Sequence, residues 1–134
     1  MRSLFRVLTG LLLSAIYIAA QPTVQGPEPA FANLDYAPPE PASSNGHKLD
    51  IYIPTGDAQR FPLVIWTGGS AWRADTGKNT ARGIAAQLNP AGYAVAGVSI
   101  RSSSQVVFPG QLHDIKAAIR WLRTNAAKSA KRSP

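Results

Sequence analysis

Two short apolar runs, separated by a stretch of helical periodicity, constrain this chain more than any other feature. Phe61 to Trp66, with Pro62 near its start, is apolar on both faces, and so is Tyr93 to Ile100. Strands that are hydrophobic on both faces belong in a sheet covered by helices on both sides, the usual setting of parallel strands. Between the runs, Ala81, Ile84, Ala85 and Leu88 form one apolar stripe at helical spacing. Thr76 or Asp75 is placed to cap that helix, and Pro90 and Gly92 to stop it. Strand, helix and strand in this order make a βαβ unit, which implies parallel pairing and a right-handed crossover.

The flanking segments extend the pattern. From His47 to Ile53 the residues alternate, with Leu49, Ile51 and Ile53 on one side and Lys48, Asp50 and Tyr52 on the other. That period of two predicts a half-buried strand. Asn45-Gly46 just before it points to a hairpin back to a short strand at 31–36. Phe108-Pro109 opens a last helix, with proline in the first turn, where its absent N–H is tolerated. Leu112, Ile115, Ile119 and Leu122 form its stripe, with Ala118 beside it. The elements read strand, strand, strand, helix, strand, helix: an α/β fold, mostly parallel, with helices on both faces.

The 134 residues are enough for one domain, and 45% hydrophobic against 16% charged content is that of a globular chain. Without cysteine there is no disulfide framework and no thiolate zinc site. No metal or organic cofactor is implied. Residues 1–20 read as a signal peptide: Arg2 and Arg6 precede an apolar run from Val7 that ends in Ala19-Ala20. The run is shorter than the about 20 residues a membrane-spanning helix needs, so export with cleavage near Ala20 is expected rather than a stable anchor. The expected location is secreted or periplasmic. Residues 21–46 are a proline-rich leader containing the first strand and its loop, 47–127 the α/β domain, and 128–134 a basic tail.

The formal net charge is +7, and beyond the signal segment the excess sits in residues 111–134, where Lys116, Arg120, Arg123, Lys128, Lys131 and Arg132 face Asp114 alone. Such a patch can meet nucleic acid or anionic lipid. Its position near a helix C-terminus also suits a solvated face favoured by the helix dipole. Aromatic residues are not interleaved as single-strand binding requires, so no nucleic-acid partner is expected.

The chemistry sits in Pro62-Leu-Val-Ile-Trp66-Thr67-Gly68-Gly69-Ser70-Ala71-Trp72. A buried strand running into small residues brings consecutive backbone N–H groups within reach of a ligand, an arrangement that suits an oxyanion on an ester carbonyl. An ordinary strand-to-loop turn reads the same way on spacing alone. This stretch resembles the His-Gly-Gly-Gly-Trp element of α/β-hydrolase esterases and lipases, including the feruloyl-esterase-like and hormone-sensitive-lipase-like groups. Gly92-Tyr-Ala-Val-Ala-Gly-Val-Ser99-Ile100-Arg101, Phe108-Pro-Gly-Gln-Leu-His-Asp114 through Arg123, and Asp50-Ile-Tyr-Ile-Pro54 resemble further elements of that family in the same order. The resemblance runs from about Leu34 to Ala127. It implies that Ser70 and Ala71 supply the oxyanion N–H groups, that Gly69 forms the turn, and that Arg101 pairs with Asp114. It also places the family's histidine, which braces the loop, at Gly68, so loop geometry departs from the pattern here.

The nucleophile elbow G-x-S-x-G is absent from these residues, and Ser102-Ser103-Ser104 lacks the flanking glycines. Of the two histidines, His47 is expected at the surface. His113 adjoins Asp114 on a helix, where neighbours do not face each other. The expectation is the N-terminal part of a serine carboxylic-ester hydrolase that is inactive as given, its substrate in the full parent a small-molecule ester. The alternatives are a non-catalytic secreted binding protein and a cationic nucleic-acid- or membrane-binding fragment. The resemblance also sets the strand at 62–66 between 93–100 and a further strand that carries the nucleophile. Without that neighbour the apolar edge is open to foreign pairing. The isolated chain is therefore expected to be poorly soluble or partly unfolded, and a sharp cooperative melt from a monomer contradicts this.

Overall fold

The computed structural model describes residues 26–58, 60–68 and 71–129. The expected signal peptide, Gly69 and Ser70, and most of the basic tail lie outside these residues. The elements are β1 (Phe31–Asp35), β2 (Lys48–Tyr52), β3 (Leu63–Trp66), a 3-10 turn (Gly77–Thr80) running into α1 (Ala81–Leu88), β4 (Ala94–Val98) and α2 (Gly110–Ser129). The sheet order is β1-β2-β4-β3. β3 and β4 pair in parallel, Leu63 opposite Ala94 and Trp66 opposite Gly97. β1–β2 and β2–β4 are antiparallel, so the described sheet is mixed rather than mostly parallel. The reason is connectivity: β1 and β2 are joined by a loop with no crossover helix, and only a crossover brings consecutive strands parallel.

All five residues of β4 are buried. On one face, Leu49 of β2 and Ala96 and Val98 of β4 pack with Tyr36, Ile100, Ala118 and Leu122, which places α2 there. On the other, Tyr52 and Val95 pack with Ala81 and Ala85, flanked by Trp66, Ile84 and Leu88. A Cβ at Gly97 would stand 2.4 Å from the Ala81 methyl, so glycine is what lets α1 approach the sheet. The α1 stripe is the expected one. Gly92, at φ 83, turns the chain out of the helix, its N–H donating to the Asn89 carbonyl.

Four local readings need correction. β2 is not half-solvated: its second face carries Asp50, 6% exposed, whose carboxylate accepts from Lys78 Nζ at 2.8 Å and from the Asn33 N–H at 2.7 Å. Neither Thr76 nor Asp75 caps the helix through its side chain, since Thr76 makes no such bond and Asp75 reaches other loops instead. Pro109 precedes α2 rather than starting it, and its carbonyl accepts the first helical bond, from His113 N–H. The α2 stripe is rotated: Leu112 is 40% exposed, while Gln111 and Asp114 join Ala118 and Leu122 on the buried side. Polar side chains take those inner positions because each finds partners there.

Asp114 is the clearest case. Arg101 donates to both its oxygens, from Nε at 3.0 Å and Nη2 at 2.8 Å, and the Arg101 N–H adds a third bond. The expected pairing is therefore present, and bidentate. His47, expected at the surface, is 6% exposed, with Nε2 3.2 Å from Asp114 Oδ1 and Nδ1 against the Pro38 carbonyl. Tyr36 meets the His47 ring edge-on, and its hydroxyl lies 2.7 Å from both the Gly46 and Ser99 carbonyls. Burial, with Asp114 nearby, raises the Tyr36 phenol far above its usual range. Burial pushes the Asp114 carboxyl up, but the bonds from Arg101 and His47 outweigh it and hold it below the ordinary range.

The pH dependence follows. A carboxyl depressed on folding stabilises fully above its unfolded value of about 3.9, and that stabilisation is lost as pH falls through the folded value. Asp114→Asn is expected to cost about 3 kcal/mol or more at pH 7, where it leaves Arg101 without its charged partner. Thermal melts across pH 2–7 check this, and the variant should also show a flatter acid limb than the natural chain.

Candidate active site

The C-terminal end of β3 delivers the small-residue loop to one end of the sheet, beside the loop that follows β4. Gly68 must be glycine here. A Cβ at this position would meet the Trp66 indole at 2.4 Å and 2.5 Å. That indole donates through Nε1 to Thr80 Oγ1 at 2.8 Å, and the Thr80 hydroxyl reaches the Gly77 carbonyl at 3.2 Å and the Gly68 carbonyl at 3.5 Å. The loop base is thus braced by a tryptophan from its own strand and a threonine at the head of α1. The position to which the resemblance assigns a bracing histidine has no side chain to do so.

Beyond the base, Ala71 and Trp72 have φ of 47 and 67, two successive non-glycine residues in the left-handed region. Left-handed backbone at such residues is a strained conformation that clusters at functional sites. Both are exposed, Trp72 by 55%. The Trp72 carbonyl accepts from Ser103 N–H at 2.7 Å, which ties this turn to the loop after β4. Gly69 and Ser70, the other expected site residues, lie outside the described residues.

The 102–106 turn is well ordered by its own bonds. Ser102 N–H donates to Gln105 Oε1 at 2.9 Å, and the Ser102 carbonyl accepts from the N–H groups of Gln105 and Val106. Ser102 Oγ lies 2.9 Å from Ser104 Oγ, so these hydroxyls serve the turn and sit beside no base. An open pocket of about 460 Å³ lies between this turn, Trp72 and the start of α2. Its walls are Trp72, Ser103, Val106, Val107, Phe108 and Gln111. Gln111, 5% exposed, donates to the Val106 carbonyl at 2.7 Å and so fixes one wall. Reading the sequence missed this pocket. The available signal was Gln111, three residues before Asp114 on the same helical face.

Neither histidine is disposed as a base. His113 is exposed on α2, and Asp114 turns away from it toward Arg101 and His47. His47 is buried with its ring nitrogens against the Pro38 carbonyl and Asp114 Oδ1, away from the pocket beside Trp72. Among the described residues no group of three or more His, Asp or Glu side chains is placed to hold a metal ion. Among the same residues no helix is long and apolar enough to cross a membrane.

A mixed sheet with helices on both faces, and a glycine-containing loop at the end of a parallel strand, are those of part of an α/β-hydrolase-type domain. Residues 49–131 match the BD-FAE family, and the chain belongs to it. Among solved structures it is 40% identical, at TM-score 0.67, to a bifunctional GH43-CE protein of Bacteroides eggerthii, over 73% of this chain and 14% of that one. It is 38% identical, at TM-score 0.65, to a truncated form of a carbohydrate esterase from gut microbiota, over 79% of this chain and 36% of that one. Esterase B from Lactobacillus rhamnosis is 27% identical, at TM-score 0.59, over 68% of this chain and 28% of that one. The chain therefore spans well under half the length of each of these proteins. No curated protein matches it.

Gly68→Ala tests the brace. The added methyl must displace the Trp66 indole from Thr80, and a cost of about 1–3 kcal/mol is expected. Denaturant unfolding gives the cost, and tryptophan emission reports the displaced ring. An unchanged midpoint rejects the brace.

Proposed function

We propose that this chain carries the oxyanion-binding part of a secreted serine carboxylic-ester hydrolase, with the N–H groups of Ser70 and Ala71 as donors and Gly69 as the turn-former. The observation that carries this reading is the left-handed pair Ala71-Trp72 at the end of β3, beside an apolar pocket, in a chain of the BD-FAE family. Donors fixed in advance stabilise the negative charge of a tetrahedral intermediate without reorganising as the reaction proceeds. The substrate is a small-molecule ester, and the carbohydrate esterase among the relatives makes sugar-linked esters the first to try. The pocket beside Trp72 suits an apolar portion of it.

The attacking serine and its acid–histidine partners are not among these 134 residues, since G-x-S-x-G does not occur and both histidines are otherwise placed. Without a nucleophile there is no acyl-enzyme, so the 134 residues alone do not turn over esters. Residues 1–20 direct export, residues 47–127 form the hydrolase part, and the basic residues of 128–134 have no nucleic-acid role.

Two measurements test this. The 134-residue protein is expected to leave p-nitrophenyl acetate at its buffer rate. A chimera in which residues 31–125, which include the loop between β1 and β2, replace the corresponding segment of the gut-microbiota carbohydrate esterase is expected to hydrolyse it. In that chimera, replacing the amide at residue 71 by an ester linkage removes one donor and keeps the side chain. A fall in kcat of about 10²–10³ with KM little changed is expected. An unchanged kcat removes residue 71 from the chemistry.

A further inference from the structure

The geometry points to Asp75 as the residue that positions the Ala71–Trp72 turn, acting through two neighbouring loops rather than by touching substrate. One oxygen of its carboxylate, Oδ2, gathers three donors: Ser44 Oγ at 3.0 Å, Asn45 N–H at 2.9 Å and Gln105 Nε2 at 2.8 Å. Ser44 and Asn45 belong to the loop between β1 and β2, and Gln105 to the turn after β4. Asp75 stands three residues beyond Trp72, so the segment from 72 to 75 is tied at both ends. Its first residue accepts from Ser103 N–H at 2.7 Å, and its last holds Gln105 of the same turn.

The ties are cross-braced. Gln105 accepts from Ser102 N–H with its amide oxygen while its amide nitrogen donates to Asp75, so one side chain locks the turn and joins it to the carboxylate. Ser44 Oγ also accepts from Gly46 N–H at 2.9 Å, which fixes the third loop in turn. An ionised carboxylate makes stronger bonds than a neutral amide in the same place, so charge at Asp75 is part of the device. Burial raises the Asp75 carboxyl, yet the bonds from Gln105, Asn45 and Ser44 more than offset it and keep the group below the usual carboxylate range. A segment tethered only at Trp72 could relax out of the left-handed region by swinging its far end, and Asp75 denies it that freedom.

The role rests on the oxyanion reading for its meaning, while the mechanical claim stands apart from catalysis. Asp75→Asn keeps the shape and removes the charge. Amide hydrogen exchange on the 134-residue protein is expected to speed up tenfold or more at Ser103, whose N–H holds Trp72, while Val95 and Val98 in β4 keep their protection. Gln105→Glu, which keeps the oxygen that accepts from Ser102 N–H but sets a carboxylate against Asp75 in place of the donor, is expected to speed exchange at Ser103 as well, and it decides the matter should Asp75→Asn fail to fold. In the chimera described above, Asp75→Asn is expected to lower kcat tenfold or more at nearly constant KM. Unchanged exchange at Ser103, or a loss of protection spread evenly through β4, overturns the mechanical claim. Faster exchange with unchanged kcat overturns the positioning role, and the ester replacement at residue 71 then reports separately on whether that amide meets an oxyanion.

Discussion

Everything in this fold is arranged around the complete burial of β4. Its five residues pair with β2 on one edge and β3 on the other, and both faces are closed by helices. A strand in that position has no solvent to satisfy its backbone, so its ladder bonds must be made on both edges. That requirement fixes the register of β3, and with it the point at which the Trp66 backbone leaves the sheet and the small-residue loop begins. Gly97 is set by the same requirement, because the close approach of α1 to β4 tolerates no larger side chain.

Around this apolar centre, three carboxylates do the organising. Asp50 joins β2 to the turn before α1 through Lys78, and to β1 through Asn33. Asp114 joins α2 to the exit of β4 and to the β1–β2 loop through Arg101 and His47. Asp75 joins the loop after β3 to both of the other loops at that end. Each carboxylate is satisfied by groups from at least two other segments, the condition under which a polar group gains from leaving water. The apolar core sets where the strands lie, and these three groups set where the loops go.

The apolar part of this design was legible from the sequence. The two-sided run of β4, the stripe on α1 and the order of elements needed only periodicity, which is a local property of the chain, whereas β3, read as buried on both faces in the same way, is an edge strand with Leu63 43% exposed. The polar part was mostly not. Alternation in β2 is real, but its polar side meets a second layer that no local pattern announces. Gln111 and Asp114 resemble solvent-facing helix residues until Val106, Arg101 and His47 are placed against them. His47 looked like a surface residue because its partners lie nine residues before it and 67 after it. Arg101–Asp114 was legible only through the family resemblance. Gly69, Ser70 and Ala71 were singled out through the family resemblance of the small-residue loop, and of these Ala71 is placed, in a backbone conformation its residue type disfavours.

That disfavoured conformation bears on why the loop is built as it is. Left-handed backbone costs about 1–3 kcal/mol for each non-glycine residue, so Ala71 and Trp72 together carry a strain of about 2–6 kcal/mol. Glycine at both positions would remove most of it, yet glycine there would also leave the turn free to sample many shapes, and an amide that wanders cannot be aimed. Bonds to charged groups are worth about 1.5–3 kcal/mol each, so the three donors on Asp75, with the Ser103–Trp72 bond, are of the right size to hold the strained turn. The tethers reach the turn from the loops after β2's hairpin partner and after β4, both anchored in the buried sheet. The strained turn is thereby held by a rigid core and a carboxylate, without a bracing side chain at position 68.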